Sequence, residues 1–154
     1  MYLLTLALHS LLRWVVLAAG LIVAARAITG ARSGRAWTSA DDTAGRWFVA
    51  ILDVQLLLGL LLYGMLSPMT AIAFRDFGAA MGDSVLRFWA VEHVFGMAAA
   101  VVLAHLGRVR IRRAVDPARR HRTAAIFFGL ALVAVLVTIP WPGMPAARPL
   151  VRLP

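Results

Sequence analysis

His9 and His93 stand at closely similar depths inside two separate apolar runs of membrane-crossing length, and Arg13 and Glu92 accompany them. An ionisable side chain costs about 2.5–3.5 kcal/mol to insert at the centre of a membrane helix, so such residues face a bundle interior and mark function by default. Imidazole is a ligand for iron, copper and zinc. Two imidazoles carried by two helices can hold one centre from opposite sides. The chemistry these residues point to is axial ligation of a haem.

The elements that position them follow from composition. The chain has 154 residues, 62% of them hydrophobic, with a mean hydropathy of +0.82. That is one domain's worth of chain, and too apolar for an ordinary soluble domain. Four runs, near residues 3–25, 47–66, 85–106 and 123–139, reach or approach the roughly 17–25 helical residues that cross a bilayer. None alternates apolar with polar residues as barrel strands do. The fold class expected is therefore all-α, an integral membrane four-helix bundle in up-down-up-down order.

The net charge of +9 comes from arginine alone, with no lysine. Arg26, Arg32, Arg35 and Arg46 fall in the first connection, against Asp41 and Asp42. Arg108, Arg110, Arg112, Arg113, Arg119, Arg120 and Arg122 fall in the third, against Asp116. Arginine-rich connections stay cytoplasmic. This predicts a multi-pass protein of a bacterial inner membrane, with both termini outside. Such a distribution argues against nucleic-acid binding, which needs its charge gathered on a phosphate-facing surface. Lipid is the expected surrounding partner, and the third connection can touch anionic headgroups. There is no cysteine, which excludes disulfides, thiolate metal sites, iron–sulfur clusters and covalent c-type haem. The opening MYLLTLALHSLLRW lacks the basic stretch of a signal peptide and reads as a retained first helix.

No internal repeat or low-complexity stretch is visible. Residues 28–45 read as a Gly/Ser-rich loop, with Ser39 placed to cap the second helix. Ser67-Pro68 stops that helix. The stretch MTAIAFRDFGAAMGD beyond it suits a short amphipathic helix on the membrane surface. The last span ends at Pro140-Trp141-Pro142, and the tail 143–154 is expected to be irregular.

Counted inward at 1.5 Å per residue, His9 lies roughly 9 Å and His93 roughly 12 Å below the outer surface. The first and third helices of such a bundle run parallel and can sit diagonally, which leaves more room than the about 8–10 Å between packed neighbours. From His93 one face runs through Gly96, Ala100 and Ala104; from His9 it runs through Arg13, Val16 and Gly20. These small side chains could leave volume for a flat macrocycle, or form an ordinary helix-packing stripe. Arg13 needs a partner: Asp53, Glu92 or a haem propionate would serve. Gln55 adds a hydrogen-bonding group, and Glu92 points away from His93 but could reach His9. His105 and His121, near the cytoplasmic helix ends, read as interfacial and solvated residues rather than as a second haem pair.

Four segments carry a resemblance: HSLLRW at 9–14, DVQLLLGLLLY at 53–63, LRFWAVEH at 86–93 and IPWP at 139–142. Together they resemble a group of small bacterial four-helix membrane proteins labelled cytochrome b-like. The resemblance implies one b-type haem inside the bundle, with electron exchange involving a quinol or a periplasmic redox partner, and homo- or hetero-oligomers are compatible with it. By matching position, His9 and His93 would be the axial ligands, with Arg13, Gln55 and Glu92 around them. Better-known four-helix b-type cytochromes often carry more helix histidines than this chain. Two other readings stand beside it. One is a cofactor-free accessory or scaffold subunit. The other is Cu(I) handling at the outer face, because all six methionines (Met1, Met65, Met69, Met81, Met97 and Met144) map to the outer half and thioether with imidazole suits Cu(I). No nucleophile–base pair, phosphate loop or hydrolytic metal motif appears.

Overall fold

Residues 1–151 are described by the computed structural model; residues 152–154 of the tail lie outside the described residues. Among the described residues all regular structure is helical. The long elements are α1 (Tyr2–Ser33), α2 (Ser39–Leu61), α6 (His93–Arg113) and α7 (Pro117–Thr138). A π-helical turn, Leu62–Leu66, prolongs α2. A second one, Phe88–Glu92, leads into α6. Between the two turns lie three short helices, α3 (Pro68–Arg75), α4 (Phe77–Gly82) and α5 (Ser84–Arg87).

Four helical stretches are long and apolar enough to cross a membrane: Tyr2–Ser33, Ser39–Leu66, Ser84–Arg113 and Pro117–Thr138. The shortest, at 22 residues, spans about 33 Å at helical rise, against a hydrocarbon core of about 30 Å. These features fit a multi-pass membrane protein.

The helices outrun the apolar runs from which they were expected. α1 continues eight residues past 25, through Arg26, Thr29 and Arg32, until Gly34 turns left-handed at φ 66°. Glycine adopts that conformation without the Cβ penalty other residues meet. The supposed loop 28–45 shrinks to residues 34–38. Its cap is Thr38, not Ser39: the Thr38 hydroxyl accepts from the Asp41 amide, and the Asp41 carboxylate accepts from the Thr38 amide at 2.9 Å. Reciprocal capping of this kind satisfies two otherwise orphaned donors. Ser67 and Pro68 do end the second span, and they also start α3 as its cap and first residue. The expected single surface helix is three short ones, because Asp76 and Asp83 each cap a new start.

Each long helix packs on two others: α1 on α2 and α7, and α6 on the same two. α1 and α6 are thus diagonal, as the sequence predicts. α1 and α2 run in opposite directions, since His9 meets Gln55 while Arg26 meets Asp41. The core is a column of Val16, Val23, Phe48, Leu52, Phe128 and Val135 with close-packed alanines, and Phe48 meets Phe128 edge to face at 5.5 Å. Ala100 and Ala104 are fully buried in it. A Cβ on Gly96 would meet the Thr138 side chain, and one on Gly20 would meet Phe48 and Leu132. The small-residue faces therefore close the bundle and leave no slot; the free volume lies elsewhere.

The arginine-rich end is held by ions. Asp41 is buried and accepts from Arg26 at 2.9 Å and from Arg35 at 2.6 and 2.7 Å. Buried Arg108 reaches Asp42 at 2.8 Å. His121, expected to be solvated, is fully enclosed: its ring fills the space that Gly30 leaves open and packs on Trp37 at 4.9 Å.

Candidate functional site

At the opposite end, the two histidines converge. The His9 and His93 ring centres lie 6.3 Å apart, with the planes at 71°. Both rings line a cavity of about 120 Å³. The walls are mostly apolar, with Leu6, Leu52, Leu56 and Val135 among them.

Each ring is placed by a specific device. His93 follows the π-helical turn, and its amide donates to Phe88 O five residues back. A π turn adds a residue to the helix, and such bulges recur at functional sites. The His93 Nδ1 donates to Thr138 O at 2.8 Å. A carbonyl only accepts, so a neutral ring keeps its lone pair on Nε2. Gly96, one turn along α6, lets α7 close enough for that bond. His9 packs over Gly59, where a Cβ would sit 3.2 Å from its Cε1. The Gln55 amide nitrogen donates to His9 O at 3.0 Å and lies 3.3 Å from His9 Nε2.

Buried polar atoms around the cavity lack partners: His9 Nδ1, Arg13 Nε, Gln55 Oε1 and Trp89 Nε1. Leaving a buried polar atom without a bond costs about 1–3 kcal/mol; four of the six such atoms among the described residues belong to residues lining the cavity, and the other two are the ring nitrogens of His121. Arg13 is buried and bonds to Ser10 Oγ at 3.4 Å and to Leu150 O at 2.5 Å. Neither expected carboxylate neutralises it. Asp53 is taken by His105 at 2.9 Å, and Glu92 by Arg87 at 2.8 Å. Glu92 is exposed, beside α5, and does not line the cavity. Its side chain is drawn outward by Arg87, so it does not reach His9. Four of the five residues singled out in the sequence, His9, Arg13, Gln55 and His93, meet at the cavity; Glu92 does not.

Sequence reasoning missed the roof. The tail folds back so that Trp14 Nε1 also donates to Leu150 O, at 3.0 Å. Arg148 lies over the Trp89 ring at 5.1 Å and lines the cavity. Tyr63 donates to Ala90 O, and Thr70 to Tyr63 O, both at 2.8 Å, which ties the two π turns to α3. Gly59 could have been found, since it stands one turn from Gln55. Nothing in the tail's composition announces Arg148.

His105 and His121 form no second pair: one faces outward with Asp53, and the other is enclosed by Gly30 and Trp37. Among the described residues no three His, Cys, Asp or Glu side chains gather closely enough to hold a metal ion. The cavity therefore offers two imidazoles, two guanidinium groups, an amide and an apolar wall. No protein-family model, curated protein or solved structure matches this chain.

Proposed function

We propose that this protein is a b-type haem membrane cytochrome, with His9 and His93 as the axial ligands of one haem. The observation that carries this reading is the 6.3 Å separation of two rings raised on diagonal helices. Two imidazoles that converge from separate helices beside one cavity could hold a metal between them. Haem iron asks the protein for axial ligands only, which suits a site with two imidazoles and no third ligand. The orphaned polar atoms and the apolar wall fit the same group.

When bound, haem supplies one-electron exchange. The chain's own residues do the rest. Thr138 O fixes the tautomer of His93 and turns its other nitrogen to the cavity. Gln55 holds α1 at the level of His9. Arg13 and Arg148 offer planar forks that match carboxylates. The resemblance of HSLLRW, DVQLLLGLLLY, LRFWAVEH and IPWP to cytochrome b-like proteins supports the same assignment. In this reading the protein sits in a bacterial inner membrane, with the arginine-rich end cytoplasmic and both termini and the histidine end outside.

A second reading, a Cu(I) site, draws on Met69 and Met97, which line the same cavity as the imidazoles. Met1 and Met65 are exposed and take no part. One preparation separates the readings. Protein expressed with haem supply and purified in detergent is red, with a Soret band and an α band that sharpens on dithionite reduction. His9→Ala and His93→Ala each abolish that spectrum. Colourless protein with bound copper establishes the second reading, and colourless, metal-free protein leaves a cofactor-free accessory subunit.

A further inference from the structure

The charge of Arg13 has no counterpart among the chain's acidic side chains. Arg13 is 8% exposed and belongs to a membrane-crossing stretch. Its hydrogen-bond partners among the described residues are neutral, the Ser10 hydroxyl and the Leu150 carbonyl. The chain has seven Asp and Glu residues, and each is engaged elsewhere. Asp41 and Asp42 hold arginines of the opposite end, Asp53 pairs with His105, and Glu92 pairs with Arg87. Asp76, Asp83 and Asp116 cap helix starts. Arg148, the second guanidinium at the cavity, is set against the face of Trp89 and not against a carboxylate. A buried charge without a partner is costly.

Two of the unpartnered atoms at the same cavity, Arg13 Nε and Trp89 Nε1, say what is missing. Guanidinium and indole N–H groups donate and never accept, so both lack an acceptor. The walls beside them are mostly apolar. An occupant that satisfies all three features brings acceptor oxygens, a negative charge and an apolar body. A carboxylate supplies one charge against the one buried guanidinium, and its two coplanar oxygens match an arginine fork. A phosphate monoester carries about 1.5–2 charges and would leave an excess in the apolar pocket.

We infer that the cavity selects a ligand carrying its own carboxylate on an apolar body, with Arg13 as the buried counter-charge and Arg148 as a second donor at the mouth. The carboxylate is required whether or not the two imidazoles carry iron, so the assignment goes beyond the haem reading and does not depend on it. A tetrapyrrole with propionate arms and a fatty acid share this chemistry, and the test separates them. Esterification removes the charge and keeps the body, so a neutral ester is the ligand the site discriminates against.

The test uses the whole protein in dodecyl maltoside, titrated by quenching of its tryptophan fluorescence. The probes are metal-free protoporphyrin IX with its dimethyl ester, and palmitate with methyl palmitate. Protoporphyrin carries no iron, so the imidazoles add no metal bond. In one of the two pairs the acid is expected to bind at least about tenfold tighter than the ester. Partitioning into the micelle cancels when the acid-to-ester ratio is compared between parent and variants. Arg13→Gln is expected to lower that ratio by about tenfold. Arg148→Gln changes only the half-buried tail residue, leaves α1 intact, and is expected to lower the ratio by about threefold. Arg13→Lys keeps the charge and is expected to retain a preference above that of Arg13→Gln. An acid preference in the porphyrin pair assigns the carboxylate to a tetrapyrrole, and one in the palmitate pair assigns it to a fatty acid. Equal binding of acid and ester in both pairs overturns the inference, as does a ratio unchanged in both glutamine variants. So does Arg13→Lys behaving no better than Arg13→Gln, or no binding of any of the four probes. Colour keeps the two proposals apart: colourless protein with an acid preference ends the haem reading alone, and red protein without one ends this inference alone.

Discussion

Gly96→Ala tests the device that aims His93. A Cβ at this position would meet the Thr138 methyl first and the Thr138 Cβ at 3.1 Å. Rotating the threonine does not solve the problem. Its hydroxyl is bound to Ala134 O at 2.7 Å, so turning the methyl away breaks a hydrogen bond worth about 1 kcal/mol, and the Cβ–Cβ approach remains too close. α7 must then move outward and take with it the carbonyl that holds His93 Nδ1. Overpacking costs about 1–3 kcal/mol, here about 2–3 because the clash persists after the threonine rotates, offset by about 1 kcal/mol from replacing glycine within a helix. The expected net loss is about 1–2 kcal/mol. At about 2–4 °C per kcal/mol for a chain of this size, the midpoint falls by roughly 2–8 °C. Thermal melts followed by circular dichroism in detergent give the first readout, and the haem spectrum expected on the proposed function gives the second. Thr138→Ala removes the methyl but keeps the Cβ and the carbonyl, so the double variant is expected to recover only the part of both losses that the methyl causes. Strictly additive effects across that cycle, or a Gly96→Ala protein as stable as the parent, would refute the close α6–α7 contact as the source of the His93 geometry.

At the other end of the bundle, Gly30→Ala drives a Cβ into the fully enclosed His121 ring. Its overpacking cost of about 1–3 kcal/mol exceeds the helix-propensity gain of about 1 kcal/mol. The melt should fall by a few degrees, and the same change should cost less in a His121→Ala background, where the ring it meets is gone. Asp41→Ala removes the carboxylate shared by Arg26, Arg35 and the Thr38 cap. A lost cap and lost charged hydrogen bonds amount to about 2–3 kcal/mol, or roughly 4–12 °C in the melt; a shift below about 1 °C would mean that the cluster contributes nothing to stability.

The four spans, the diagonal placement of the first and third, and the meeting of His9 with His93 were legible in the sequence, because bilayer thickness and helical rise turn residue number into depth. Rotation about each helix was not. The π turn before His93 has no signature in a 3.6-residue period, and the face through Gly96, Ala100 and Ala104, which lies past that turn, packs on α7 and the core instead of the cavity. Charge partners were misread for a related reason. Depth placed Asp53 and Glu92 near Arg13, yet their azimuths set them against His105 and Arg87. His121 looked solvated within RRHR because its enclosure depends on Gly30, a residue far away in the chain. The roof over the cavity depends on backbone carbonyls, at Leu150 and Thr138, and a carbonyl has no letter in a sequence.

The bond from Arg13 to Leu150 O joins positions 137 residues apart, which orders events during synthesis. The first helix is made early, but the carbonyl that seals its arginine is made long afterwards. Until then the pocket stands unroofed on that side while the second, third and fourth spans assemble around it.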